Sequence, residues 1–350
     1  MPQHEIYMQR CLELALLGAG SVSPNPMVGS VLVFDGSIIA EGYHPKYGEP
    51  HAEANAIDYV LKNLDDAENK LKASTLYVNL EPCSHFGKRP PCADLIIRHH
   101  IPKVIVGCRD PFDQVNGKGI DKLKQAGIYV IENVLQAECL DLNRRFFTRI
   151  QKQRPYIILK WAETANGYFA PSSPSKKWIS SDASKKLVHK WRAEEDAVLV
   201  GKNTALIDNP QLNVREIAGR NPLRIILDRH LSLPQTLNVF DQSQDTIVFN
   251  SAKTEIVGRI KYLRLDDFDT LLPQLIAFQL YLMDVQSIII EGGLQTLELF
   301  IKAGLWDEAR IITGKENWND GIKAPPISGK LISQSQLSSD IITILYNPIN

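Results

Sequence analysis

Three side chains near the start of the chain have the types and spacing to hold a metal ion: His51, Cys83 and Cys92. One imidazole and two thiolates fill three positions around tetrahedral zinc and leave the fourth for water, as a catalytic site requires. Glu53 follows His51 by two residues and is not needed as a ligand. A carboxylate placed there can move protons to and from the water, so the expected chemistry is hydrolytic.

Two other uses of these residues compete. A Cys83–Cys92 disulfide is disfavoured, because the chain has five cysteines and its opening Met1-Pro2-Gln3-His4-Glu5 shows no secretory core. A structural zinc site would need a fourth protein ligand, for which only His44 and His85 stand near. Cys11, Cys108 and Cys139 read as small packed side chains. His-x-Glu followed by Pro-Cys and a second Cys is the pattern of zinc-dependent nucleobase deaminases, where the Glu is the general acid and base.

The elements that must position these groups follow from periodicity. Tyr7 to Leu17 reads as an amphipathic helix stopped by Gly18-Ala19-Gly20. Ser23-Pro24-Asn25-Pro26 is a turn-rich loop. It leads into a buried strand, Val28 to Val33, turned at Asp35-Gly36 into a second strand, Ser37 to Tyr43. Prolines on both sides of Asn25 stiffen its loop, which suits an amide that meets a ligand and equally a plain turn asparagine. His51 and Glu53 open a helix. Cys83 follows the strand Thr75–Leu80, and Cys92 begins another helix. Helix N-termini favour thiolates, so the ligands converge from two helix ends beside one strand. A strand from Lys103 to Cys108 and a helix around Asp121 to Ala126 complete a βα-alternating layer.

The spacer between Cys83 and Cys92 is Ser84-His85-Phe86-Gly87-Lys88-Arg89-Pro90-Pro91. A polar, cationic insert anchored at both ends by metal ligands implies a substrate that carries an anion, most simply a phosphate. Together with Pro24-Asn25-Pro26-x-Val28-Gly29 and His51-Ala52-Glu53, the run Glu81-Pro82-Cys83-Ser84-His85-x-Gly87-Lys88-x-Pro90-Pro91-Cys92 resembles the bifunctional deaminase–reductases of riboflavin biosynthesis. The resemblance implies that His51, Cys83 and Cys92 bind Zn²⁺, that Glu53 is catalytic, and that Asn25, His44, His85 and Lys88 touch substrate. It implies hydrolytic removal of the C2 amino group of 2,5-diamino-6-(5-phosphoribosylamino)pyrimidin-4(3H)-one.

Asp141 to Arg154 is charged and bounded by Pro155, and reads as the end of one domain and the passage to the next. Expected domains are a deaminase over 1–145 and a reductase over 155–350. After Pro155, apolar runs such as Ala197–Gly201, Leu223–Asp228, Thr246–Phe249 and Ser287–Glu291 predict a parallel-rich sheet with helices on both sides. Glu291-Gly292-Gly293 ends a buried strand and opens a helical stretch, where glycines let the backbone approach a phosphate. No Gly-x-Gly-x-x-Gly follows a strand, so a Rossmann site is not supported.

With Lys160-x-Ala162, Trp178-Ile179, Arg192 and Val200 to Arg215, these segments resemble the reductase half of the same family. That implies a dihydrofolate-reductase-like α/β fold, NADPH as cofactor, and reduction of the ribosyl group to ribityl. The fold expected overall is a cytidine-deaminase-like three-layer αβα domain followed by this reductase domain. By the resemblance, Ala162, Trp178, Thr204, Asp208, Leu212, Gly292 and Gly293 form the cofactor site. Arg192, Arg215 and Glu291 meet substrate, the arginines suiting a 5′-phosphate, and Lys160 lies on the substrate side. Two positions depart from the family: Asn166-Gly167 stands where Asp-Gly is common, and Lys176 replaces a small hydroxyl residue. Alternatives are an enzyme whose reductase half is impaired, and a nucleoside or tRNA deaminase with an unrelated C-terminal domain.

Composition agrees with a two-domain enzyme: 350 residues, 44% hydrophobic, 23% charged and a formal net charge of −1. No basic field suits a long nucleic acid and no apolar run suits a membrane. A homo-oligomer acting on a phosphorylated pyrimidine in the cytoplasm is expected.

Overall fold

The computed structural model describes residues 3–84, 90–112, 115–172 and 178–348. His85, Lys88 and Lys176 lie outside the described residues. The chain divides into two compact units, Met1–Gln153 and Arg154–Asn350.

The first unit runs α1 (Gln3–Leu16), β1 (Gly29–Phe34), β2 (Ser37–Tyr43), α2 (Ala52–Asn63), α3 (Ala67–Lys72), β3 (Thr75–Leu80), α4 (Cys92–Arg98), β4 (Lys103–Cys108), α5 (Lys118–Gln125), β5 (Tyr129–Ile131), α6 (Gln136–Leu142) and α7 (Arg144–Lys152). Its sheet has the order β2-β1-β3-β4-β5. The strand β1 pairs antiparallel with both neighbours, while β3, β4 and β5 are parallel. Alternate residues face opposite layers. Leu32, Leu76, Val78, Val104 and Val106 pack under α2, α4 and α5; Val31, Val33, Tyr77 and Ile105 pack against α1, α6 and α7. The expected three-layer αβα arrangement results.

The charged stretch from Asp141 to Arg154 holds the end of α6 and all of α7, and the boundary between the two units falls after Gln153. Phe146 and Phe147 in α7 are each 7% exposed, and burying these two rings keeps α7 with the first unit.

The second unit runs β6 (Tyr156–Glu163), β7 (Tyr168–Ala170), α8 (Asp182–Glu194), β8 (Ala197–Gly201), α9 (Lys202–Asp208), β9 (Leu223–Leu227), β10 (Thr246–Asn250), β11 (Glu255–Val257), β12 (Ile260–Arg264), α10 (Leu272–Leu282), β13 (Ser287–Ile290), α11 (Leu294–Lys302), β14 (Glu308–Thr313), β15 (Ile322–Lys323), β16 (Lys330–Leu337) and β17 (Asp340–Tyr346). Ten strands form one sheet in the order β11-β12-β10-β9-β8-β13-β6-β14-β17-β16. The run from β12 to β14 is parallel, and β11, β17 and β16 close its ends antiparallel. One face packs Ile157, Leu159, Leu199 and Ile290 against α10 and α11; the other packs Tyr156, Ile158 and Ile289 against α8. Both faces are covered, which is why the parallel strands read as unbroken apolar runs. Among the described residues, no helix is long and apolar enough to cross a membrane.

Candidate active sites

In the first unit, His51 is the N-cap residue of α2, Cys83 lies three residues beyond β3, and Cys92 opens α4. Their donor atoms all lie within 4.8 Å of one another. His51 Nδ1 is 3.6 Å from Cys83 Sγ and 3.4 Å from Cys92 Sγ. Tetrahedral zinc, with Zn–S near 2.3 Å and Zn–N near 2.0–2.1 Å, has S···N edges of about 3.6 Å. The three donors therefore fit Zn²⁺. The backbone N–H of Cys92 donates to Cys83 Sγ at 3.3 Å. A hydrogen bond from Cys92 to Cys83, helped by His51, holds the Cys83 thiol down at about 4. The same bond and burial push Cys92 well up. The pair thus shares one proton, which a metal displaces on binding.

Glu53 sits in the first turn of α2, 3% exposed. Burial pushes its carboxyl up to about 7, against the pull of His51. His44 is buried at 2% exposure, and its ring lies edge-on to that of His51, with centroids 5.2 Å apart. Its Nδ1–H donates to the Pro50 carbonyl at 3.1 Å, and its Nε2 accepts from Asn25 Nδ2 at 3.0 Å. That chain fixes the His44 tautomer and the Asn25 amide orientation. The structure thus brings together Asn25, His44, His51, Glu53, Cys83 and Cys92.

Three further residues hold this site: Asn143 and Asn79, which gave no signal in the sequence, and Glu81, which entered only as the first residue of the run ending at Cys92. Asn143, between α6 and α7, donates to Met27 O and accepts from Met27 N, both at 2.8 Å. Asn79 accepts from Gly29 N at 2.8 Å and donates to Met27 O at 3.1 Å. The two amides clamp the loop that carries Asn25. Glu81, 4% exposed, accepts backbone N–H groups from Gly117 and Gly119, each at 2.9 Å, and from Ile120 at 3.2 Å. It ties the start of α5 to the Pro82-Cys83 turn.

In the second unit, Glu291 is the centre of a buried ion cluster. Arg192 on α8 grips it bidentately, Nε to Oε1 at 2.6 Å and Nη2 to Oε2 at 2.7 Å. Lys160 Nζ lies 3.8 Å from Oε2. Burial opposes ionisation of Glu291, but Arg192 and then Lys160 outweigh it and hold the carboxyl down at about 2. Burial also lowers the Lys160 pKa, partly countered by Glu291. The guanidinium fork of Arg192 is thus committed to Glu291. Arg215 has a side chain 47% exposed, with its Nε 3.8 Å from Glu216 Oε1.

The glycine pair expected at the cofactor site forms a tight strand-to-helix turn. Gly292 has φ +119° and the Gly292–Gly293 peptide is cis. A Cβ on Gly293 would lie 3.1 Å from Thr204 Oγ1, and one on Gly201 would meet Thr296 Oγ1 at 2.4 Å. Two strand-to-helix turns, β8–α9 and β13–α11, therefore lie side by side, each glycine facing a threonine hydroxyl of the other turn's helix, and Gly201 N–H donates to Gly292 O at 2.9 Å. Bare backbone at the start of α11 fits the phosphates of a dinucleotide. Of the other expected cofactor residues, Ala162 lies on β6, part-buried, and Asp208 ends α9, exposed. Trp178 is 71% exposed, with Lys185 Nζ 4.5 Å above its ring. Leu212 exposes only 2% and belongs to the core beside β8 and β9. Asn166 donates to Trp318 O at 2.7 Å and accepts Trp318 N–H at 3.1 Å. A carboxylate could not make both bonds, so this departure serves a turn anchor.

Residues 1–108 match the cytidine and deoxycytidylate deaminase zinc-binding region, and residues 155–314 match the RibD C-terminal domain. The riboflavin biosynthesis protein RibD of Aquifex aeolicus is 40% identical over 336 residues, covering 94% of this chain and 92% of that protein. Its counterpart in Escherichia coli is 34% identical, covering 87% and 86%. The crystal structure of a diaminohydroxyphosphoribosylaminopyrimidine deaminase/5-amino-6-(5-phosphoribosylamino)uracil reductase from Thermotoga maritima superposes with a TM-score of 0.90 at 37% identity, covering 99% of both chains. Acinetobacter baumannii RibD gives 0.88 at 31% identity and 98% coverage of each.

Proposed function

The chain belongs to the RibD family of riboflavin-biosynthesis deaminase–reductases, and on that premise we propose how its residues divide two consecutive reactions. The enzyme is a zinc-dependent deaminase and an NADPH-dependent reductase. The proposed substrate is 2,5-diamino-6-(5-phosphoribosylamino)pyrimidin-4(3H)-one. It loses its C2 amino group as ammonia in the first unit, and its ribosyl group becomes ribityl in the second. Zinc would supply Lewis acidity toward a water oxygen, and NADPH a hydride for ribosyl C1′.

The chain's own side chains do the rest. His51, Cys83 and Cys92 would hold the metal and Glu53 would relay the proton: it takes one from the attacking water and delivers one to the departing amine, which leaves as ammonia. Asn25 and His44, locked to each other, would orient the pyrimidine, with His85 and Lys88 contacting it. In the second unit Gly292, Gly293 and Thr204 would seat the cofactor, with Ala162, Trp178, Asp208 and Leu212 around it. Arg215 would take the 5′-phosphate. Arg192 would hold Glu291 in place, and Lys160, buried beside that carboxylate, would give a proton to the ribose ring oxygen as the ring opens. A cytoplasmic homo-oligomer is the setting we propose.

The observation that carries this reading is the three-donor cluster of His51, Cys83 and Cys92 with Glu53 beside it in the first turn of α2. Product analysis of the zinc-loaded enzyme, with and without NADPH, tests it. Ammonia should appear without NADPH, and NADPH should be consumed only by the deaminated product. Ammonia release that requires NADPH, or NADPH oxidation by the diamino substrate, would refute the order.

A further inference from the structure

His189 lies on α8 one turn before Arg192, and exposes 4% of its surface. Its Nδ1 accepts the backbone N–H of Arg215 at 3.3 Å. Arg192 Nη1 donates to Asn213 O at 3.2 Å, and Arg215 Nη1 donates to Asn213 Oδ1 at 3.0 Å. Between them, Val214 N–H donates to Asn221 Oδ1 at 2.8 Å. Residues three apart on a helix share a face, so α8 grips the 213–215 turn on either side of Val214.

We propose that His189 is a positioning residue for phosphate recognition: as a neutral imidazole it anchors the backbone of Arg215 and so aims that guanidinium at the anionic end of the substrate. This rests on the assignment of Arg215 to the 5′-phosphate. Arg215 is half exposed, so packing does not hold it. Long cationic side chains lose rotamer freedom on binding, and fixing the backbone beneath them reduces that loss.

The anchor requires an unprotonated Nδ1, because imidazolium has no acceptor. The groups that face His189 are Arg192 on its own helix, Arg215 and Glu216 on the turn, and Glu291 after β13. Burial, then the two arginines, lower its pKa, with the two glutamates opposing. The neutral ring is therefore the resident form at neutral pH, and acid releases the turn. The substrate phosphate also titrates near pH 6, so variants must be compared at matched pH, where that contribution cancels.

The test uses the full chain, NADPH and 5-amino-6-(5-phosphoribosylamino)uracil as the reductase substrate. His189→Ala should raise KM about fivefold to tenfold, the weight of one lost hydrogen bond, with kcat little changed. His189→Asn, whose Oδ1 can stand where Nδ1 does and does not titrate, should recover most of that KM and flatten its acid limb relative to the parent. Adding His189→Ala to Arg215→Ala should do no further harm. If Arg215→Ala raises KM and His189→Ala does not, the positioning role is overturned and the phosphate assignment stands. If Arg215→Ala leaves KM unchanged, both fall. A His189→Ala defect that lies in kcat and is not rescued by Asn overturns the inference as a purely structural effect.

Discussion

Replacing Glu291 by Gln removes one negative charge from between Arg192 and Lys160 and keeps the side-chain shape. The carboxyl drops from an ordinary 4.5 to about 2 in the folded chain. At about 1.4 kcal/mol for each tenfold change in affinity for the proton, ionised Glu291 contributes about 3 kcal/mol to the second unit. Because the folded value is depressed, that contribution is complete above pH 4.5 and lost as the pH falls through about 2. Roughly 1 kcal/mol remains at pH 3 by the same linkage. Gln mimics the protonated acid, so the variant should lose the full amount at pH 7, lowering the melting temperature by roughly 6–12 °C for a unit of this size. All five tryptophans, Trp161, Trp178, Trp191, Trp306 and Trp318, belong to the second unit. Tryptophan fluorescence therefore follows its unfolding without interference from the first. The gap between parent and variant should narrow toward pH 3 and persist in about 1 M salt, which screens surface pairs far more than buried ones. A loss below about 1 kcal/mol at pH 7 would refute the reasoning, because desolvation would then have cancelled the attraction. A loss independent of pH would refute it equally.

Glu53→Gln should keep full zinc content, measured by elemental analysis, while ammonia release falls about 10²–10⁴-fold, the usual weight of a general acid–base; near-parental turnover would exclude Glu53 as the proton carrier. Asn143→Ala takes the acceptor from Met27 N–H and leaves Met27 O with the Asn79 amide alone, and should weaken the first unit by about 2 kcal/mol. It should raise KM for deamination alone, so an equal change in reductase KM would count against the clamp. Gly201→Ala puts a Cβ 2.4 Å from Thr296 Oγ1 and should raise KM for NADPH. Adding Thr296→Ala should relieve it, and a double variant no better than the single would show that the crowding lies elsewhere.

The ligand set was readable because each of its members sits at the start of a helix or the end of a strand, where local periodicity marks the boundary. Strands buried on both faces were readable for the same reason: their apolar runs are continuous. What escaped depends on partners far apart in the chain. Asn143 meets Met27 across 116 residues, and the bond from Arg215 to His189 spans 26; a lone asparagine or histidine carries no local trace of such a partner. The charge and shape of Arg192 are visible in a sequence, whereas its pairing with Glu291, 99 residues on, is not. The helix α7 was hidden by its own composition, since four of its nine residues are basic and only Phe146, Phe147 and Thr148 are buried. The edge strand β16 completes the large sheet from residues that are nearly all exposed, so no apolar run announces it.

The asparagine clamp bears on the order in which the protein is made. During synthesis the loop carrying Asn25 leaves the ribosome early, yet its Met27 backbone finds one anchor only at Asn79 and another only at Asn143. All three zinc donors precede residue 93. A nascent chain released just short of Asn143 would thus carry every metal ligand and still lack the second fastening of its substrate loop. On the roles proposed above, metal capture and competence to bind the pyrimidine are in this way separated along the message, with the junction of α6 and α7 deciding the second.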